Sequence, residues 1–122
     1  MGNPVCWFEI PTKDLERAKT FYGTAFGWTF QTIEMGAMKL AMLPSEMQAY
    51  GTSGALVQAD TCTPAQTGTL VYFSCPEVTT QLDRIEKAGG KVVLTKTSIG
   101  EHGYIGAFID TEGNRVAVHS ME

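Results

Sequence analysis

No apolar run in the chain approaches the roughly 20 residues that a membrane span needs, so a membrane partner is not expected. No cluster of lysine and arginine occurs, and the net charge is −4, which counts against nucleic acid as a partner. Cysteine is sparse: Cys6, Cys62 and Cys75 are odd in number and lack C-x-x-C spacing. They read as reduced, mostly buried thiols of a cytoplasmic protein rather than a disulfide framework. The opening MGNPVCWFEIP lacks the charged-then-apolar pattern of a secretory signal, and position 6 is Cys where myristoylation would want Ser or Thr. Nucleophile-elbow, P-loop, H-E-x-x-H and G-x-G-x-x-G motifs are also missing, and with them the chemistries they carry.

What remains is 122 residues, 43% of them hydrophobic, which suits one compact domain. Its most legible stretch is GEHGYIGAFIDTEGNRVAVHS, from Gly100 to Ser120. Tyr104 to Ile109 is a run of β-formers. Asp110 to Asn114 is turn chemistry, with Gly113 free to take a positive φ. Arg115 to His119 alternates polar and apolar, the signature of a strand with one face on a core. The face of Arg115, Ala117 and His119 therefore looks elsewhere, and a ligand cavity is the interesting possibility.

The rest falls into order around that hairpin. Val5 to Ile10 predicts a strand ended by Pro11. Asp14 is an N-cap, and Leu15, Ala18, Phe21, Tyr22 and Ala25 recur at helical spacing until Gly27. Strands follow at Trp28–Glu34, Met38–Leu43 and Gly54–Val57. Residues 60–67 read as a linker. The pattern then restarts: a strand from Thr69 to Cys75, a helix opened by Pro76 with Val78, Leu82, Ile85 and Ala88 as its apolar stripe, and a stop at Gly89-Gly90. A strand at Lys91–Thr95 leads to the closing hairpin.

Both halves thus read strand–helix–strand–strand–strand, and they register on each other. Trp7 and Leu70 stand 63 positions apart, and the same offset relates Leu15 to Val78, Tyr22 to Ile85, Ala25 to Ala88 and Gly27 to Gly90. One half alone is too small to bury both sides of its sheet. The expected architecture is α+β: one domain of two βαβββ modules, residues 3–59 and 68–120, with curled mixed sheets around a cavity.

FEIPTKDLERAKTFYGTAFGW (Phe8 to Trp28) and the closing hairpin together resemble the vicinal oxygen chelate superfamily, which includes glyoxalase I, bleomycin-resistance proteins and extradiol dioxygenases. The resemblance implies paired βαβββ modules, a homodimer, and cavities between modules of different subunits. In metal-dependent members, four side chains on the first and last strands of the modules hold a divalent ion. Carried over, these positions are Trp7, Leu70, Ala117 and one residue within Gly54–Val57. None supplies the oxygen, imidazole or thiolate that such an ion wants, so no metal cofactor is expected. A shift of two residues along the strands brings in Glu9 and His119.

Several side chains are candidates, each with a plainer alternative. Glu9 is a polar anchor or base in the cavity, or a structural acid bonded to Arg115 or a backbone N–H. His119 is a proton shuttle, metal ligand or substrate donor, or a strand-end histidine near the C-terminus. His102, among glycines, sits at a mobile cavity mouth or simply in solvent. Trp7, Tyr72, Tyr104 and Phe108 line the cavity if the alternation holds, or merely fill space between modules; Trp28 could lie nearby. Met35, Met38, Met42 and Met47 are adaptable packing or dimer contacts. The loop Pro44–Ser53 is a lid or a connection.

Three functions follow. The first is a metal-independent binder of a small organic molecule in an aromatic cavity, with Glu9, His102 and His119 as polar contacts. The second is an enzyme, a lyase/isomerase or dioxygenase-like protein, using Glu9 and His119 as acid/base or unusual ligands. The third is a structural module whose cavity is filled by its own side chains.

Overall fold

A computed structural model describes residues 3–46 and 49–122, and Met47 lies outside the described residues. The first half comprises β1 (Glu9–Pro11), α1 (Leu15–Phe26), β2 (Gln31–Met35), β3 (Met38–Met42) and β4 (Ala55–Gln58). The second comprises β5 (Tyr72–Ser74), α2 (Val78–Lys87), β6 (Lys91–Ser98), a 3-10 turn at Gly100–His102, β7 (Tyr104–Ile109) and β8 (Arg115–Ser120). Two separate four-stranded sheets result, ordered β1-β4-β3-β2 and β5-β8-β7-β6. In each, the first strand pairs parallel to the last and the other pairs are antiparallel. The architecture is the expected α+β pair of βαβββ units, and the sheets do not close into a barrel.

Local chemistry accounts for the helix ends. The Asp14 side chain accepts from the Arg17 N–H, and Gly27 ends α1 in the left-handed conformation at φ 74°. Helix α2 begins two residues later than expected: Val78, not Pro76, is its first helical residue, and Glu77 is its cap, accepting from the Thr79 and Thr80 N–H groups at 2.8 and 2.9 Å. Two strands are shorter than the alternation suggested. β1 starts only at Glu9, because β4 offers its first register partner, Ala55, at that level; Val5, Cys6 and Trp7 lie outside the ladder and exposed, and Cys62 and Cys75 are only partly buried, so the expected burial of the thiols is not found. β2 starts at Gln31, because Trp28 stacks on Phe26 at 4.6 Å and on Tyr22 at 5.9 Å.

The core lies between the helices and the inner faces of both sheets. Helix α1 sends Phe21 and Tyr22 toward the second half, where they meet Phe108 and Phe73. A side chain of that size contributes about 1.5–3 kcal/mol on burial, so this shared aromatic layer joins the halves.

Polar contacts fix how the halves sit. The turn between β7 and β8 docks on the start of α1. The Glu112 carboxylate, 2% exposed, accepts from the Lys13 and Asp14 N–H groups at 2.8 and 2.7 Å, from Arg17 Nε and Nη2, and from Thr111 Oγ1. Asp110 accepts from the Tyr22 hydroxyl at 2.7 Å and from the Glu112 and Asn114 N–H groups. Asn114 Nδ2 donates to the Pro11 carbonyl, and the Ala65 N–H donates to Asn114 Oδ1.

These carboxylates make stability depend on acid. Burial alone would raise the Glu112 carboxyl, but the Arg17 side chain, the Asp14 N–H, Thr111 and the Lys13 N–H outweigh it and hold it below its ordinary 4.5. Glu77 is held at about 2, chiefly by Lys96 at 2.8 Å and then by the Thr80 and Thr79 N–H groups. Both values lie below those of the unfolded chain. The stability they contribute is therefore complete above about pH 4.5 and lost as pH falls through the folded values. Urea unfolding followed by circular dichroism should give a flat midpoint from about pH 7 to 5 and a steep fall below about pH 4.5. Glu112→Gln should cost about 2 kcal/mol near neutrality and flatten that fall. An unchanged midpoint in this variant would contradict the docking role.

Candidate functional site

Register decides which side chains share the open face of the second sheet. Ala117 of β8 stands opposite Tyr72 of β5 and Ala107 of β7, and His119 stands opposite Ser74 and Ile105. This face turns away from the helices. The other face carries Phe73, Val116, Val118 and Phe108, all buried in the core. Two expected cavity residues are thereby corrected. Phe108 is fully buried beneath α1, and Tyr104 packs toward the core with Lys96 Nζ 4.5 Å over its ring. Cross-strand partners share a face, and these two pair with Val116 and Ser120, not with Ala117 or His119.

The open face forms one wall of a groove of about 660 Å³. Tyr72, half-exposed, and His119 line it with Ser74, Ile105, Tyr50 and Met121. Its rim is built by His119 itself. The ring Nε2 donates to the His102 carbonyl oxygen at 2.6 Å, joining the end of β8 to the turn before β7. That bond assigns the proton of the neutral ring to Nε2 and leaves Nδ1 as an acceptor. Gly103 permits the closeness: its φ is 101°, and a Cβ there would strike the Ser120 carbonyl oxygen. The side chain of His102 points elsewhere. It is 78% exposed, beside Glu101, and does not line the groove.

Other candidates lie apart. Trp7 borders a depression of about 400 Å³ beside Phe30, Met42 and Leu43 on the first half. Glu9 is exposed, contrary to an inward carboxylate, and lines a crevice between the halves together with Arg115. Within one chain the structure therefore brings Tyr72 and His119 together, and neither Glu9 nor Trp7 joins them. On the first sheet, Leu40, Ala55 and Val57 face away from α1 and are covered by Met38, Met42, Ala59 and Cys62. Trp28 is core, stacked on Phe26 and edge-on to Phe73.

Ser74 and Ile105 were missed by the sequence reading, although strict alternation from His119 across a paired sheet would have found them. Tyr50 and Met121 come from a loop and the chain end, where no periodicity operates.

The metal positions implied by the resemblance do not fit an ion. Ala117 and Ala55 occupy matching places on the last strands, opposite Tyr72 and Glu9. Trp7 and Leu70 complete the set. An indole N–H is a donor only, and the other three side chains are hydrocarbon. Among the described residues, no three His, Cys, Asp or Glu side chains gather as a metal group.

His119→Ala should release the turn that His119 holds. Hydrogen exchange should quicken at the Ile99 and Gly103 N–H groups, which close that turn on Gly103 and Gly100 carbonyls. Unchanged exchange at both would contradict the positioning role.

Residues 5–44 match the family model described as bleomycin resistance protein-like N-terminal. A glyoxylase-like domain-containing protein from Didymella fabae is 30% identical over 116 residues, covering 90% of this chain and 88% of that protein. Glyoxalase I from Zea mays superposes with a TM-score of 0.73 at 22% identity, over 97% of this chain and 46% of that one. The chain therefore spans about half the length of the maize enzyme. TnmS3, an antibiotic binding protein from Streptomyces sp. CB03234, superposes with a TM-score of 0.73 at 20% identity, over 97% of this chain and 95% of that one. Sequence relationship and shared fold agree: the chain belongs to the glyoxalase/bleomycin resistance/dioxygenase family of the vicinal oxygen chelate superfamily.

Proposed function

We propose that the chain binds a small, flat organic molecule on the open face of its second sheet, without a divalent metal. The carrying observation is the groove itself: Tyr72, Ser74 and His119 line it together, and the largely exposed Tyr50 borders it. Aromatic walls with a few polar groups suit such a ligand. The hydrocarbon and indole side chains at Trp7, Ala55, Leu70 and Ala117 support a role that needs no ion. The antibiotic-binding relative in fold, TnmS3, is a precedent for this scaffold holding an organic molecule.

The binding unit in this reading is a homodimer. The chain equals about half of the maize glyoxalase I length, and the second half of this chain leaves Tyr72 and His119 on a sheet face turned away from the helices. A second copy would set the first-sheet edge that carries Trp7 over the groove of its partner. Binding, rather than metal-dependent lyase or dioxygenase chemistry, is favoured because Trp7, Ala55, Leu70 and Ala117 supply no acid, base or metal donor.

Intrinsic fluorescence tests this directly, since Trp7 is exposed and Trp28 is stacked in the core. Titration with bleomycin and a panel of planar polycyclic antibiotics should quench the Trp7 emission saturably. Tyr72→Ala should weaken that binding by about tenfold, and Trp7→Phe should abolish the signal but not the binding seen by calorimetry. Failure of every panel member, or indifference to Tyr72→Ala, would contradict the proposal.

A further inference from the structure

We infer that the crevice between the two halves is a separate binding site for a small zwitterion, a free α-amino acid with an apolar side chain. The crevice, about 390 Å³, is lined by both Glu9 at the start of β1 and Arg115 at the start of β8. Both charges are exposed. They are opposite in sign and share one recess, yet among the described residues neither takes part in an ion pair. A ligand carrying an ammonium and a carboxylate on one carbon can satisfy both, the ammonium on Glu9 and the carboxylate on the guanidinium.

The surroundings fit the rest of such a molecule. The floor is apolar, built by Phe8, Ile10, Val71 and Val116, and accepts a hydrocarbon side chain. Thr63, Thr67 and Thr69 of the connecting segment add hydroxyls along one side. That segment is held in place. The Ala65 N–H donates to Asn114 Oδ1 at 3.1 Å, the Arg115 N–H donates to the Ala65 carbonyl at 3.3 Å, and the Ala117 N–H donates to the Val71 carbonyl at 2.9 Å. The part of the crevice built by this segment and the start of β8 is thus preformed, which lowers the ordering cost of binding. The groove of Tyr72 and His119 shares no lining residue with this crevice.

Calorimetric titration of the intact chain with L-leucine, leucinamide, N-acetyl-L-leucine and succinate tests the assignment. L-Leucine should bind, and each analogue lacking one of its two charges should bind at least about tenfold more weakly. The variants should fail in a matched way. Glu9→Gln should erase the preference for leucine over N-acetyl-leucine and keep that over leucinamide, and Arg115→Gln should do the reverse. General damage to the fold would not produce this crossed pattern. Tyr72→Ala should leave leucine binding intact, which separates this site from the aromatic groove. No binding of L-leucine, equal binding of the capped analogues or of succinate, or loss of leucine binding in Tyr72→Ala would each overturn the inference.

Discussion

Two carboxylates in one turn hold this molecule in its shape. Asp110 and Glu112 sit between β7 and β8, far in sequence from α1, yet Glu112 accepts both N–H groups that open that helix, and Asp110 accepts the hydroxyl of Tyr22 on it. Buried carboxylates are costly unless every lone pair is engaged, and here the donors come from both halves of the chain. The consequence is geometric. With the turn seated on α1, the helices and the aromatic layer are enclosed between the halves, and the remaining sheet faces point outward.

That outward orientation is what makes a binding role natural. Strand alternation puts large residues on the helix side and leaves Tyr72, Ser74, Ala117 and His119 on the other. The same alternation places alanine at 55 and 117, where metal-dependent relatives of this fold class would need donors. The scaffold is kept without those donors, and the open face of the second sheet carries Tyr72, Ser74 and His119 instead. His119 serves the groove by its ring surface and by pinning the turn at His102.

Much of the fold was legible because it rests on local signals. Asp14, Gly27 and the helical spacing of Leu15, Ala18, Phe21 and Tyr22 marked α1, and the repeat at an offset of 63 located its counterpart. The candidate site was read less well. Tyr104 and Phe108 were assigned to the wrong face because the pairing of β7 with β8, not the apolar content of β7, determines what faces outward. Trp28 was drawn out of its expected strand by stacking on Phe26, a tertiary effect. Glu112 read as an ordinary turn acid. Its burial depends on the partner Arg17, 95 positions away, and no local pattern carries such a contact. A bond from Glu9 to Arg115 was one expected alternative; no such ion pair forms among the described residues, and the recess the two share depends on the connecting segment, which has no periodicity.

The most direct measurement is metal content by mass spectrometry on the chain purified without chelator or tag-derived metal, then after loading with nickel, zinc, manganese or iron. The account requires stoichiometries far below one ion per chain, together with unimpaired binding of an organic ligand by the metal-free chain. About one tightly held ion per chain, lost in Glu9→Ala or His119→Ala, would contradict it. It would mean that two copies bring those residues together as ligands.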